Sequence, residues 1–154
     1  MFHITIIAVG KLKDKEFETV CNDYKKRINT FAKLEVVEVE PEPSFSSGDK
    51  IRVQEKEEER IRKIVEKRNA EVVLLSEEGK QYNSSDLADI IVKKNREVVF
   101  VIGGSFGFSE AFKKENVLYS LSLLTFPHEL ARVILMEQLY RAITINQKEN
   151  KYHK

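Results

Sequence analysis

Residues 98–107 read Val-Val-Phe-Val-Ile-Gly-Gly-Ser-Phe-Gly, an unbroken apolar run that leads directly into a glycine-rich turn. Such a run predicts a strand that is covered on both faces, as in a parallel sheet flanked by helices. Three of the six glycines of the chain fall in this turn. Glycine has no Cβ, so the backbone can pass close to a ligand. The stretch therefore predicts a buried strand whose carboxyl end faces a ligand, although a simple tight turn is the open alternative.

The segments on either side alternate between strand and helix patterns. Strands are predicted at 4–9, 34–39 and 72–75, and a last strand or extended segment at 119–124. Helices are predicted over about 14–30, 49–68, 84–94, from 109 and over 127–147, with a loop at 40–49 and a turn at 77–83 around Gly79. Strands that alternate with helices indicate an α/β fold, a mostly parallel sheet sandwiched by helices. A length of 154 residues suits a single domain spanning 1–154.

The composition favours a globular protein of the cytoplasm. Hydrophobic residues make up 42% and charged residues 33% of the chain. No stretch approaches the roughly 20 apolar residues that a membrane-spanning helix requires, and the first seven residues do not resemble a signal peptide. We therefore expect a cytoplasmic protein with no membrane partner.

Disulfide and metal chemistry are not expected. The chain has one cysteine, Cys21, in a charged helical stretch, where a cysteine on a helix face is the plain interpretation. The three histidines, His3, His128 and His153, show no metal-ligand spacing with one another or with Cys21. The sequence therefore predicts no metal site.

The charge pattern leaves contact with nucleic acid open. The net charge is +1, which neither favours nor excludes a nucleic-acid partner. The helix predicted at 49–68 is densely charged, and we interpret its charges as a solvated face. Contact with RNA through Arg60, Arg62 or Lys63 is the alternative. Arg132 is equally open, because it can pair within the protein or face RNA.

The last predicted helix is apolar on most of its circumference. Apolar residues recur on several faces between Leu130 and Ile143. A helix of this kind must be covered on several sides, and a small sheet covers one. We therefore expect this helix to pack across the two-fold axis of a homodimer. A central position within one subunit is the alternative.

Three loops are predicted at the end of the sheet where ligands bind. In open parallel sheets, ligands bind beyond the carboxyl ends of the strands. The loops after Leu75, at 103–107 and at 122–127 lie at such ends. No Gly-Lys-Ser/Thr follows the glycines, so the turn is not a phosphate loop. It also follows a late strand, whereas the dinucleotide-binding fingerprint follows the first strand.

An ordered set of motifs resembles one enzyme family. Residues 101–107 resemble the glycine loop of SPOUT methyltransferases, and 121–128 are similar to the loop and helix start that follow it. The resemblance extends to residues 7–13, to Arg132-Val133, to 137–142 and to the terminal 152–154, so it spans nearly the whole chain. The chain looks like the bacterial large-subunit rRNA pseudouridine N3-methyltransferases.

The resemblance carries expectations for fold, cofactor and partners. It implies a C-terminal trefoil knot, an exception to the rule that chains avoid knots. It implies a homodimer that acts on a pseudouridine of 23S rRNA in the assembled ribosome. The methyl donor, S-adenosylmethionine, would bind at the positions that match the family's knot loops, which are Leu75, Gly103, Ser122, Leu123, Leu124, Thr125, Phe126 and Pro127.

The resemblance also suggests roles near the C-terminus. The reacting ring nitrogen must lose a proton, and His153 is the candidate base because histidine titrates near neutral pH. Arg141 would stabilise the developing negative charge. Tyr152 would stack on a base and Lys154 would hold phosphate, so both are RNA-binding candidates. His128 begins the last helix and is expected to shape the ligand site.

Two other functions remain open at this point. A SPOUT methyltransferase that modifies transfer RNA keeps the fold but changes the substrate. A ribosome-binding assembly factor keeps the fold without methyl transfer. A nucleotide-binding α/β domain is a more generic alternative.

Overall fold

The computed structural model describes residues 2–93 and 96–145. Its elements, in chain order, are β1 (Phe2–Val9), α1 (Lys15–Ile28), β2 (Ala32–Val39), a 3₁₀ turn (Ser47–Asp49), α2 (Lys50–Val65), β3 (Ala70–Gln81), α3 (Ser84–Lys93), β4 (Glu97–Ile102), α4 (Glu110–Glu115), β5 (Val117–Ser120) and α5 (His128–Ile145).

The described strands form one parallel sheet in the order β2-β1-β4-β3-β5. Every neighbouring pair in this order is parallel. The carboxyl ends of all five strands therefore meet at the same edge of the sheet. The expectation of a parallel α/β sheet is confirmed.

Helices cover both faces of the sheet. Alternate residues of β1 point to opposite faces, with Ile4 and Ile6 in one apolar cluster and Ile7 and Val9 in the other. The first cluster contains residues of α1, α3 and α5. The second contains residues of α2 and α4. The sheet is therefore sandwiched by helices, as expected.

The third strand differs from its predicted extent. We expected a strand at 72–75 and a turn at 77–83, but β3 continues to Gln81. Both Leu75 and Lys80 pair with Tyr119, so the intervening residues bulge out of the register. A Cβ on Gly79 would lie 2.7 Å from the backbone nitrogen of Tyr119. The glycine therefore permits a close backbone crossing over β5, which the sequence suggested only as a turn.

The fifth strand is shorter than predicted. We expected an extended segment over 119–124, but β5 ends at Ser120. The Ser120 hydroxyl donates to the Ser122 carbonyl at 2.8 Å, and the Leu124 amide donates to the Ser122 hydroxyl at 3.0 Å. These local bonds fold residues 121–127 into a loop instead of continuing the strand.

The last helix is covered on two sides by its own subunit. It packs between α1 and α3, and it also contacts β4. Tyr140 meets Tyr24 of α1 with ring centroids 6.0 Å apart, and Gln138 accepts a bond from Ser84 of α3 at 2.8 Å. Two helices of the same subunit therefore flank α5, which favours the alternative of a central position within one subunit. The homodimer itself stays a prediction.

The described ranges contain neither a helix that could cross a bilayer nor a cluster of side chains that could hold a metal ion. In residues 2–93 and 96–145, no helix is both long and apolar enough to cross a bilayer. In the same ranges, no group of three or more His, Cys, Asp or Glu side chains is placed to hold a metal ion.

Candidate functional site

A cavity of about 520 Å³ lies at the carboxyl ends of β4 and β5 and beside the bulge of β3. Pockets of this size accommodate a small-molecule ligand or cofactor. Its lining combines three stretches, which are 75–78, 102–110 and residues 121, 122 and 124–128. The start of α2 and one turn of α4 complete it through Lys50, Gln54 and Lys113. The three loops predicted from the sequence thus meet at one site.

The structure brings most of the predicted donor-binding residues together. The lining includes Leu75, Gly103, Ser122, Leu124, Thr125, Phe126 and Pro127. Leu123 is not among the lining residues, and its side chain is 77% exposed. His128, the first residue of α5, also lines the cavity. The assignment of these residues to donor binding stays a prediction.

Two glycines are required by the packing behind the cavity. A Cβ on Gly103 would lie 3.0 Å from the ring of Phe108. A Cβ on Gly104 would lie 2.8 Å from a carboxylate oxygen of Glu57 and 3.2 Å from Val9. Gly107 has φ +63°, a conformation that favours glycine. Any side chain at 103 or 104 must therefore displace its neighbours.

Charged groups of both signs line one part of the cavity. The Lys113 ammonium donates to Glu78 at 2.8 Å and to Glu110 at 2.9 Å. These bonds, the one to Glu78 foremost, raise the pKa of Lys113, and the bond from Lys113 lowers the pKa of Glu110. The cluster of Glu78, Glu110 and Lys113 could not be predicted from the sequence. Lys113 and Glu78 are distant in the chain and meet only where α4 packs beside the bulge of β3.

The interpretation of the charged residues of α2 was partly wrong. We took its charges for a solvated face, but Gln54, Glu57 and Glu58 are buried. They share one face with the core residue Ile61, at positions i, i+3, i+4 and i+7. That spacing was the available signal. Ile51, near the start of the same helix, is 71% exposed.

The cations proposed as RNA contacts on α2 have partners within the protein. Arg60 donates to the Glu42 carboxylate at 2.7 Å, and Arg62 donates to Glu115 at 3.1 Å. Lys63 lies 3.6 Å from Glu59. These contacts favour the structural interpretation over RNA contact.

The choice left open for Arg132 is also decided. Its side chain is buried and donates to Glu38 at 2.8 Å and to the Gly10 carbonyl at 3.0 Å. It therefore ties α5 to the ends of β1 and β2. Cys21 of α1 is also buried, and this burial raises the pKa of its thiol.

Arg141, the predicted catalytic residue that the structure describes, does not line the cavity of its own chain. Arg141 lies in the last turns of α5 and donates to Glu137 at 2.5 Å. Thirteen residues separate it from His128, which corresponds to roughly 20 Å along a helix. Tyr152, His153 and Lys154 lie outside the described residues. The structure therefore places the ligand cavity and Arg141 at opposite ends of α5.

The arrangement suits a ligand with an apolar part and a charged part. Backbone groups of 103–107 and 121–127 surround one region of the cavity, together with apolar side chains such as Leu75 and Phe126. Glu78, Glu110 and Lys113 offer carboxylates and an ammonium group. The lining therefore offers polar and apolar groups together, which suits a cofactor that has both.

Comparison with known proteins agrees with the geometry. A family model whose description reads "Predicted SPOUT methyltransferase" matches residues 2–153. A protein of Ruminiclostridium cellulolyticum named ribosomal RNA large subunit methyltransferase H is 42% identical over 159 residues, covering 98% of this chain and 99% of that protein. A Methanococcus maripaludis protein named putative ribosomal RNA large subunit methyltransferase H is 41% identical over 160 residues, covering 99% of each chain.

Two solved structures share the fold at low sequence identity. A probable methylase family protein from Haemophilus influenzae Rd KW20 has a TM-score of 0.62 and 10% identity, covering 100% of this chain and 72% of that chain. A putative RNA methyltransferase from Bacillus anthracis has a TM-score of 0.52 and 12% identity, covering 97% and 99%. Together with the near-complete match to the family model, these findings establish that the chain belongs to the SPOUT methyltransferase family.

Proposed function

We propose that this protein is an S-adenosylmethionine-dependent methyltransferase that modifies N3 of a pseudouridine in 23S rRNA of the assembled large subunit. The observation that carries the proposal is the cavity at the carboxyl ends of β4 and β5, beside the bulge of β3. It is built from the same segments, 101–107 and 121–128, that resemble the family's donor loops. The near full-length relatives named as large-subunit rRNA methyltransferases support the substrate class.

The cavity fits the donor by volume and by chemistry. Its 520 Å³ suits a small cofactor, and Gly103 and Gly104 both line it. Leu75, Gly103 and residues 122–127 would hold the donor. When bound, S-adenosylmethionine supplies an electrophilic methyl group, so the protein's task is mainly to position the reacting groups.

A homodimer completes the proposed site. Arg141 is roughly 20 Å from the cavity of its own chain by helix length. Leu123 and Leu124 are 77% and 70% exposed, and Leu130 and Ile134 of α5 are half-buried. A two-fold contact through these residues covers the apolar side chains. Such a contact allows Arg141 of a second copy to reach the cavity.

The C-terminal residues are proposed to handle the RNA. His153 takes the proton from N3 of the pseudouridine, because a histidine base is matched to neutral pH. Arg141 stabilises the negative charge that develops on the ring. Tyr152 stacks on a base and Lys154 contacts phosphate. Deleting 152–154 is expected to abolish methyl transfer and to preserve both donor binding and thermal stability.

The remaining proposals concern the chain as a whole. We propose one domain spanning 1–154 in the cytoplasm, with a trefoil knot near the C-terminus. The return of the chain from β5, at the sheet edge, to β4 and α1 through α5 supports the knot. The net charge of +1 suits docking onto a preformed ribosomal surface, because binders of free RNA rely on a larger basic excess.

The decisive experiment measures methyl transfer from labelled S-adenosylmethionine. The substrates are intact ribosomes, free large subunits and protein-free RNA, all from cells that lack this gene. We expect label on ribosomes, at N3 of a pseudouridine in 23S rRNA. Label on transfer RNA would favour the transfer-RNA enzyme instead. Donor binding without label on any substrate would favour an assembly factor.

A further inference from the structure

Three buried polar side chains of α2 contact the loop at residues 103–109, which we call the glycine loop. Gln54, Glu57 and Glu58 are 6%, 4% and 3% exposed, respectively. They meet the loop at its middle, its beginning and its end. We propose that Gln54 and Glu58, with Glu57 packed between them, are positioning residues that hold the glycine loop in its donor-binding shape. This inference rests on the proposed function for the identity of the ligand.

The middle of the glycine loop is held by Gln54. Its side-chain amide donates to the carbonyl of Phe106 at 2.9 Å. The next residue, Gly107, has φ +63°, and its amide donates to the Gly104 carbonyl at 3.0 Å. The bond from Gln54 therefore fixes the tightest part of the turn. Gln54 also lines the cavity, so it connects the shape of the loop to the ligand directly.

The end of the glycine loop is held by Glu58. Its carboxylate accepts from the Ser109 amide at 2.7 Å and from the Ser109 hydroxyl at 2.6 Å. The same hydroxyl accepts from the Phe112 amide at 3.2 Å, so Ser109 also caps α4. Bonds to a charged group are about twice as strong as neutral ones. Because Glu58 does not line the cavity, its effect on a ligand must pass through the loop.

The beginning of the glycine loop is packed against Glu57. One carboxylate oxygen accepts from the Glu42 amide at 3.1 Å. The other is buried without a hydrogen-bond partner among the described residues, and it lies 2.8 Å from the position that a Cβ on Gly104 would take. Glu57 therefore links the segment before α2 to the first turn of the loop.

The chemistry of this face argues for a role beyond packing. Buried carboxylates lose hydration, and apolar residues of similar volume are often equally stabilising or more so. A helix that only covered the sheet would carry apolar residues here, as it does at Val53 and Ile61. Each of the two bonding side chains is instead directed at a backbone or hydroxyl group of the glycine loop.

The test measures donor affinity and donor kinetics on the full-length protein. Glu58→Ala and Gln54→Leu are compared with Glu55→Ala, an exposed carboxylate on the same helix. Titration calorimetry uses S-adenosylmethionine and S-adenosylhomocysteine as ligands. We expect Kd and the KM for the donor to rise about tenfold in both variants, with kcat at saturating donor within twofold. The control is expected to match the wild type.

A second pair of variants separates positioning from general loss of stability. Glu58→Gln keeps one oxygen as acceptor and is expected to recover most of the affinity. Ser109→Ala is expected to add little to the donor Kd of Glu58→Ala in the double variant, because both remove the bond between the Ser109 hydroxyl and Glu58. It is expected to lower the melting temperature further, because it also removes the cap of α4. Unchanged Kd in folded Glu58→Ala and Gln54→Leu, whatever their melting temperatures, would overturn the inference. Failure of the wild type to bind either ligand would instead count against the proposed function.

Discussion

The two loops that face each other across the cavity are held in different ways. Side chains of α2 hold the glycine loop, residues 103–109, through hydrogen bonds to Phe106 and Ser109. The serine loop, residues 121–127, is held by short bonds around Ser122 in the described structure. Its residues Leu123 and Leu124 are largely exposed, whereas Phe108 of the glycine loop is buried.

The two loops therefore differ in how far the protein alone fixes their shape. The glycine loop is organised before any ligand arrives, because its anchors belong to the protein core. The serine loop has its polar turn in place, but Leu123 and Leu124 are left without apolar cover by the residues that the structure describes. Under the proposed function, the donor and a second subunit supply that cover. Variants in the glycine loop and in the serine loop test this difference.

The largest expected effect is at the base of the glycine loop. Gly104→Ala places a methyl group 2.8 Å from Glu57 and 3.2 Å from Val9. Overpacking of this kind costs about 1–3 kcal/mol, which corresponds to a rise of roughly fivefold to more than a hundredfold in donor Kd if the loop absorbs it. Gly48→Ala is the control, since its Cβ would meet Ser46 at 3.6 Å, an ordinary contact. Equal donor affinity in the two variants would mean that the close packing at 104 is irrelevant to binding.

The next effect concerns the exposed side of the serine loop. Leu123→Asp is expected to weaken dimerisation at least about tenfold, because burying an unpaired charge is strongly unfavourable. Stability of the subunit is expected to change by less than about 0.5 kcal/mol, since surface substitutions are usually mild. Sedimentation velocity at micromolar protein measures the first quantity, and denaturant unfolding measures the second.

Phe45→Asp is the control for this variant, because Phe45 is 90% exposed on a different loop. We expect it to sediment as the wild type does. A wild type that is already monomeric would contradict the proposed dimer. A Leu123→Asp protein with unchanged association would place the contact elsewhere.

A smaller effect is expected inside the serine loop. Ser122→Ala removes the acceptor for the Leu124 amide, a bond of 3.0 Å. One net hydrogen bond is worth about 1 kcal/mol, so donor Kd should rise by about fivefold. Ser44→Ala, which removes an exposed hydroxyl on the loop before α2, should leave donor Kd unchanged. A Ser122→Ala effect as large as that of Gly104→Ala would remove the distinction between the two loops.

The smallest effect concerns pH. Burial, foremost, raises the pKa of the Glu57 carboxyl above its ordinary value of 4.5, with Glu42 and Glu58 adding to the rise and the Glu42 amide and Arg60 opposing it. The folded state therefore holds this proton more tightly than the unfolded state does. The resulting stabilisation is complete below pH 4.5 and is lost as the pH rises through the higher folded pKa.

Glu57→Gln removes that titration, so its unfolding free energy should fall less than that of the wild type between acidic and neutral pH. Denaturant unfolding at several pH values measures the difference. Glu59→Gln, at an exposed carboxylate of the same helix, should behave as the wild type does. A parallel pH dependence in the wild type and Glu57→Gln would show that Glu57 does not carry the effect.

Local patterns were sufficient to predict the order of the strands along the chain and the cavity loops, although not the extents of β3 and β5. The apolar run before Gly103 and the glycines after it are adjacent in the chain, so the strand and its turn could be predicted together. The loop after Leu75 and residues 122–127 followed from the rule for parallel sheets. The strand and its turn depend on residues that are neighbours in the chain. The position of the loops depends on a general property of parallel sheets.

The anchors of the glycine loop could not be predicted in the same way. Gln54 and Glu58 meet Phe106 and Ser109 across about fifty residues of chain, so a charged helical pattern gave no hint of the partner. The extension of β3 past Gly79 depends on its contact with Tyr119, which is equally distant. Arg132 could be assigned only once α5 was placed beside Glu38.

Hydrogen exchange with and without S-adenosylmethionine tests the central claim most directly, namely that the donor binds between a preformed loop and a loop that it completes. The amides of Gly107 and Ser109, which are bonded within the protein, should be protected before the donor is added. Amides of residues 121–127 should gain protection when it binds. Donor-dependent protection confined to other parts of the chain, or a glycine loop that exchanges freely without donor, would contradict the account.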